Sequence, residues 1–201
     1  MTEWDENQKI KMAALDKLVA KWSEVEGEIS QLEGLTASEW RSGLEAHLTN
    51  EIGERPAPES GPSVPKMAWS CLDGVYDKIG YALEQLDKAK QTFTQILGVH
   101  QAMRDMGRSY NPSEFMLLIL RTGEGGPQDT GGVWGHMIAA AGHLSGAAAF
   151  CGSASSVLKA EMAKARFANL QKRIVERMQA LNNLMDEMGL LFNAALQALK
   201  E

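Results

Sequence analysis

A basic excess is the first thing this sequence does not have. Lys and Arg number 20 against 26 Asp and Glu, a net charge of −6 at pH 7. Phosphate backbones are bound by replacing their counterions with Lys and Arg, so no nucleic-acid partner is expected. Cysteine is nearly absent as well. Cys71 and Cys151 are too few for a disulfide framework, and both sit among apolar or small residues. We read them as buried free thiols of a reducing compartment. The N-terminal "MTEWDENQK" is acidic and has no apolar centre, so no cleavable secretory signal is read there. The expected location is the cytoplasm, or outside it by a route independent of a signal peptide. No alternating apolar and polar run marks a strand, and no internal repeat is present.

Proline is scarce, and its placement divides the chain. Four of the six prolines fall in "GERPAPESGPSVP", residues 53–65. Proline lacks an amide donor and disfavours helix at the residue before it, so this stretch reads as a linker. Elsewhere the apolar period is helical. Leu15, Leu18, Trp22, Val25, Ile29 and Leu32 recur at spacings of three and four, a seam held for about three heptads. The spacing predicts a helix over 3–34, with Gly34 as its stop. Thr36 and Glu39 have the capping-box spacing ahead of a shorter helix over 37–50, with the stripe Trp40, Leu44, Leu48 and Ile52. A long helix follows over 66–107. Its stripe of Leu72, Tyr76, Ile79, Leu83, Leu86, Phe93, Leu97 and His100 has a polar break at Lys90. The last helix, 154–200, carries Leu158, Met162, Phe167, Leu170, Ile174, Met178, Leu181, Met185, Met188, Phe192, Ala195 and Leu199. A helix of that length spans roughly 65 Å at 1.5 Å per residue. The expected fold is therefore all-α: one elongated, antiparallel bundle with coiled-coil-like long helices, forming a single domain.

Glycine is plentiful in one place, "TGEGGPQDTGG", after the apolar "FMLLIL". A phosphate loop needs a strand before it and a helix start behind. Here "NPSE" supplies an N-cap at Asn111 and proline at the first helical position, while Arg121 and Gly123 form a C-terminal signature. Residues 112–122 thus read as a short helix. Gly126 and Gly131 have the phosphate-loop separation, but Gly132 and Val133 stand where Lys and Ser or Thr belong. Residues 123–132 are expected to be a hinge loop. His136, His143 and Cys151 share one side of the helix that follows, but at two-turn spacings that are too wide for neighbouring ligands on one zinc. Glu24, Glu26 and Glu28 have nothing that marks them as acid–base groups. No catalytic, cofactor-binding or metal-binding residue is assigned, and no enzyme activity is expected; a metal-dependent or nucleotide enzyme built on residues 123–151 is kept as a further alternative.

Charge is missing altogether from "VWGHMIAAAGHLSGAAAFCG". The expected helix, 133–151, is long enough to cross a bilayer, yet its imidazoles, serine and many small residues make it less apolar than a typical span. Gly142 and Gly146 have the small-xxx-small spacing that lets helices approach. Trp134, Ile138, Gly142, Gly146 and Phe150 would be the membrane-facing set. A buried helix of a soluble bundle is the favoured reading, with conditional membrane insertion as the alternative. Lys and Arg dominate 159–177, while residues 1–60 carry −7. We expect these two segments to pair.

The order is a polar helix, a Pro/Gly linker, a Gly/Ala-rich apolar run and a C-terminal amphipathic helix, "LKAEMAKARFANLQKRIVERMQALNNLM". In organisation it resembles the small translocator and filament proteins of bacterial type III secretion systems. The resemblance implies self-association, chaperone binding and membrane contact, and assigns no residue. The expected function is protein–protein interaction or self-assembly through two faces. One is Leu15, Leu18, Trp22, Val25, Ile29 and Leu32. The other is Leu170, Ile174, Met178, Leu181, Met185 and Met188.

Overall fold

The computed structural model describes residues 3–107 and 132–200. The expected helix over 112–122 lies outside the described residues. So does the expected hinge up to residue 131, while Gly132 begins a helix with φ of 61°. The described residues form α1 (Glu3–Gly34), α2 (Ser38–Ile52), α3 (Val64–Asp105), α4 (Gly132–Ser155) and α5 (Glu161–Lys200), with no strand among them. The four long helices pack together, making an all-α helical bundle.

The main buried seam of each of these four helices is built from spacings of three and four, as a 3.6-residue period requires. In α1 they are Leu18, Trp22, Val25 and Leu32, with Ile29 half-buried. In α3 they run Ala68, Leu72, Val75, Ile79, Ala82, Leu86, Ala89 and Phe93. The polar break expected at Lys90 is therefore not in the core. Ala89 takes the inward position and Lys90 faces solvent. In α4 the inward residues are Val133, Met137, Ala140, Leu144, Ala147, Cys151 and Ala154. In α5 they include Ala163, Phe167, Leu170 and Ile174, then Leu181, Leu184 and Met188. Met162, one residue out of phase with Phe167, is 73% exposed, and Ala163 is buried in its place.

The chain divides into two compact units. The first comprises Met1–Gly27, Gln85–Ala139 and Leu181–Glu201. Its centre holds Trp22 stacked on Phe93, with ring centroids 4.5 Å apart and planes 13° from parallel. Trp134 meets Phe192 at 5.9 Å. Polar ties surround this core. His100 Nε2 lies 3.0 Å from Asp16 Oδ1, Arg104 bonds the same oxygen, and Lys21 pairs with Glu24 and Glu187.

The second unit comprises Glu28–Glu84 and Ala140–Ala180. Leu32, Leu44, Leu48, Leu72, Ile79, Leu144, Phe167 and Ile174 are buried in it. Arg177 Nη1 sits 2.6 Å from Glu28 and also bonds Gln31. Here a basic residue of α5 pairs with the acidic N-terminal helix, as the charge pattern suggested; among the described residues Arg177 is the one basic side chain of 159–177 in an ion pair with α1.

Three local readings need correction. Thr36 does not open α2. Its hydroxyl donates to the Glu33 carbonyl at 2.7 Å and closes α1, and the N-cap of α2 is Ala37 without a side-chain bond. The Pro-rich stretch is also more than a linker. Ser63 accepts the Lys66 amide and starts α3 two residues before the expected point. Lys66 Nζ donates to the Pro58 and Ser60 carbonyls, and Trp69 Nε1 to the Gly53 carbonyl at 3.2 Å. Arg55 covers the Trp69 ring at 4.6 Å and pairs with Asp73, so the loop is clasped onto α3. Finally, α4 runs through Ser155, and α5 begins at Glu161 rather than near residue 154. Ser153, Ser155 and Ser156 donate back to carbonyls three or four residues earlier, which carries the turn onward. The amides of Lys159 and Ala160 then both donate to the Glu51 carboxylate at 2.8 Å.

Candidate interaction surfaces

The two seams read from the sequence as interaction faces lie in the protein's own packing. Leu18, Trp22, Val25 and Leu32 are buried, as are Leu170, Ile174, Leu181 and Met188. Ile29, Met178 and Met185 are half-buried. Leu15 belongs to α1, but its side chain is outside the described residues. An intermolecular role for these seams would require the helices to separate.

Helix α4 has a different character. Its 24 residues hold no formal charge. Among the described residues it is the one helix long and apolar enough to cross a bilayer. Its inward seam leaves Ile138, Gly142, Ser145 and Ala149 facing outward. Ile138 is 59% exposed, and nothing lies within 4 Å of where a Gly142 side chain would begin. The other members of the proposed membrane set are engaged. Trp134 packs on Phe192, Gly146 lies beneath the Lys78 stem, and Phe150 covers Gly74 so closely that a Cβ there would sit 3.0 Å from the ring.

The histidines and thiols do not converge. His136 Nδ1 is 2.8 Å from Gln85 Oε1, and His143 packs on Tyr81 at 5.5 Å. Among the described residues no three potential ligands gather at one point. Both cysteines are buried and free. Desolvation pushes the Cys151 thiol up to about 12 and raises that of Cys71. Such thiols are poor nucleophiles, because the thiolate is the reactive form. Desolvation also pushes Tyr76 up to about 12, with the Arg41 guanidinium 4.8 Å above its ring.

A cleft of about 400 Å³ lies between α2 and α5, within the second unit. Glu39, Trp40 and Leu44 line it from α2, and Arg166 and Asn169 from α5. Leu44 is buried and Trp40 half-buried, which gives an apolar wall. Arg173 sits over the Trp40 ring at 5.1 Å. Arg166, Asn169 and Arg173 share one side of α5, because their spacings are three and four. Gly43 completes the geometry. A Cβ at that position would overlap Arg166 Nη1, so its absence lets the guanidinium lie against α2. Among the described residues no ion pair involves Arg166, Lys172 or Arg173, while the Lys164 ammonium helps to lower the Glu51 pKa. Sequence reading placed Trp40 in a helix stripe and the basic residues in a diffuse run. The signal that could have singled them out is the Arg166–Asn169–Arg173 spacing. No family model, no curated protein and no solved structure matches this chain.

Proposed function

We propose that this protein acts by binding protein surfaces, a second copy of itself first among them, and catalyses no reaction. The outward face of α4 is the observation that carries this reading. A molecule of net charge −6 repels its own copies over most of its surface. Ile138, Gly142, Ser145 and Ala149 add no charge to that repulsion, and the small residues admit a close neighbour. Burying exposed Ile138 supplies the driving force. The face is narrow. A helix of 24 residues is about 36 Å long, so a strip about 10 Å wide covers roughly 350 Å². Stable complexes bury about 800 Å² per partner, so association through α4 alone is weak and concentration-dependent. Sedimentation velocity at rising concentration is expected to show reversible dimers, and Ile138→Glu to abolish them. A chain that stays monomeric at the highest soluble concentration would contradict the proposal.

A second reading rests on the length and apolarity of α4: the same helix enters a bilayer once the bundle opens. Under that reading the protein floats with liposomes. Protein left wholly in solution at every lipid composition removes it.

A further inference from the structure

We propose that the α2–α5 cleft is a docking site for an acidic peptide segment of a partner protein. Charge complementarity commits the site to this occupant. Arg166, Lys172 and Arg173 stand along one stretch of α5 and take part in no ion pair among the described residues, in a chain that is acidic overall. The cleft is not merely a charged surface. Trp40 and Leu44 form an apolar wall, Arg166 and Asn169 bring donors to its edge, and the Arg173 guanidinium carbon sits 5.1 Å from the Trp40 ring centre. Trp and Arg together dominate the binding energy of protein interfaces, because each offers a large contact area with directed polar groups. A volume of about 400 Å³ accepts one or two side chains of an extended or helical segment. An acidic side chain would take the Arg166 fork and the Asn169 amide, while its apolar neighbour packs on Trp40.

Glu39 sets a limit. It is exposed at the first turn of α2 and lines the same cleft, so it opposes an anionic guest. A partner must therefore place its carboxylate toward α5. This site is separate from the outward face of α4, and the two stand or fall independently.

The test uses the full chain and a fluorescein-labelled peptide of alternating Glu and Leu, read by fluorescence polarisation. Saturable binding is expected, and Arg166→Ala should weaken it about tenfold. Gly43→Ala leaves every charge in place but displaces the Arg166 guanidinium, so it too should weaken binding several-fold. Glu39→Gln should tighten it. Lys90→Ala removes one exposed charge from α3 and serves as the charge-matched control, with unchanged binding expected. Circular dichroism of each variant verifies that the bundle is intact. Equal losses in Arg166→Ala and Lys90→Ala, or no loss in Gly43→Ala, would reduce the site to general electrostatics and overturn the proposal. So would equal binding of a single-stranded oligonucleotide or of phosphatidylserine vesicles, which would assign the basic stretch to phosphate rather than to acidic peptide.

Discussion

Gly74 and Gly80 sit six residues apart in α3 and carry the same intrinsic penalty, yet their replacement should have unlike effects. Glycine in a helix interior is less favourable than alanine by about 1 kcal/mol, largely through backbone entropy. Gly80 is exposed, and nothing lies within 4 Å of a Cβ added there. Gly80→Ala should therefore raise unfolding stability by about 0.5–1 kcal/mol. At Gly74 the new methyl would meet the Phe150 ring at 3.0 Å. The ring must shift, and the gain should shrink to zero or reverse. Urea denaturation of the two variants checks this, and equal gains would show that Phe150 does not constrain Gly74. Helix propensity alone weighs these glycines alike, because it is a property of the residue and the Phe150 contact comes from another helix. The same limit applies to Lys90. Its polarity suggested a break in the stripe, but the inward position belongs to Ala89, a residue too small to register in an apolar pattern.

Glu51 determines where α5 begins from 108 residues away in sequence. The helix interiors were legible locally: α1 has the bounds that its seam and Gly34 suggested, and α3 ends beside Gly107, whose φ of 65° suits glycine. The junction of α4 and α5 was not legible. Nothing near Ser155 reveals that a carboxylate from α2 will accept the amides of Lys159 and Ala160. That contact is titratable. The Lys159 amide bond lowers the Glu51 pKa from its ordinary 4.5; partial desolvation opposes the shift, and the Ala160 bond adds to the lowering. A depressed carboxylate contributes stability in full above its unfolded pKa and loses it as pH falls through the folded one. Amide exchange at Lys159 and Ala160, corrected for its intrinsic pH dependence, should stay protected down to about pH 4.5 and accelerate below it. Glu51→Ala should show the fast exchange already at pH 7, with α4 unchanged. If that variant keeps both amides protected at neutral pH, the clamp is not what orders this turn.

At the scale of the whole molecule, charge separates the two proposed surfaces. The all-α architecture followed from periodicity alone, but its outer surfaces did not, because one sequence stripe cannot reveal which neighbouring helix will cover it. Leu170 and Ile174 looked available for partners and are core; Arg166 and Trp40 looked ordinary and line a cleft. The remaining surfaces respond to ions in opposite directions. Two copies of a −6 chain repel each other, and α4 offers contact without charge of its own. Raising salt from about 50 to about 300 mM shortens the screening length to roughly 6 Å, so dimerisation should strengthen. Lowering the pH toward the isoelectric point, about 5.3, should do the same by removing net charge. That pH still lies above the range where the Glu51 clamp is lost. Docking of an acidic peptide on Arg166 and Arg173 draws on attraction instead, so the same salt increase should weaken it. Sedimentation and polarisation measured on one salt series must therefore diverge. If both associations weaken together, the α4 contact is electrostatic and its uncharged face is not the surface that joins the copies.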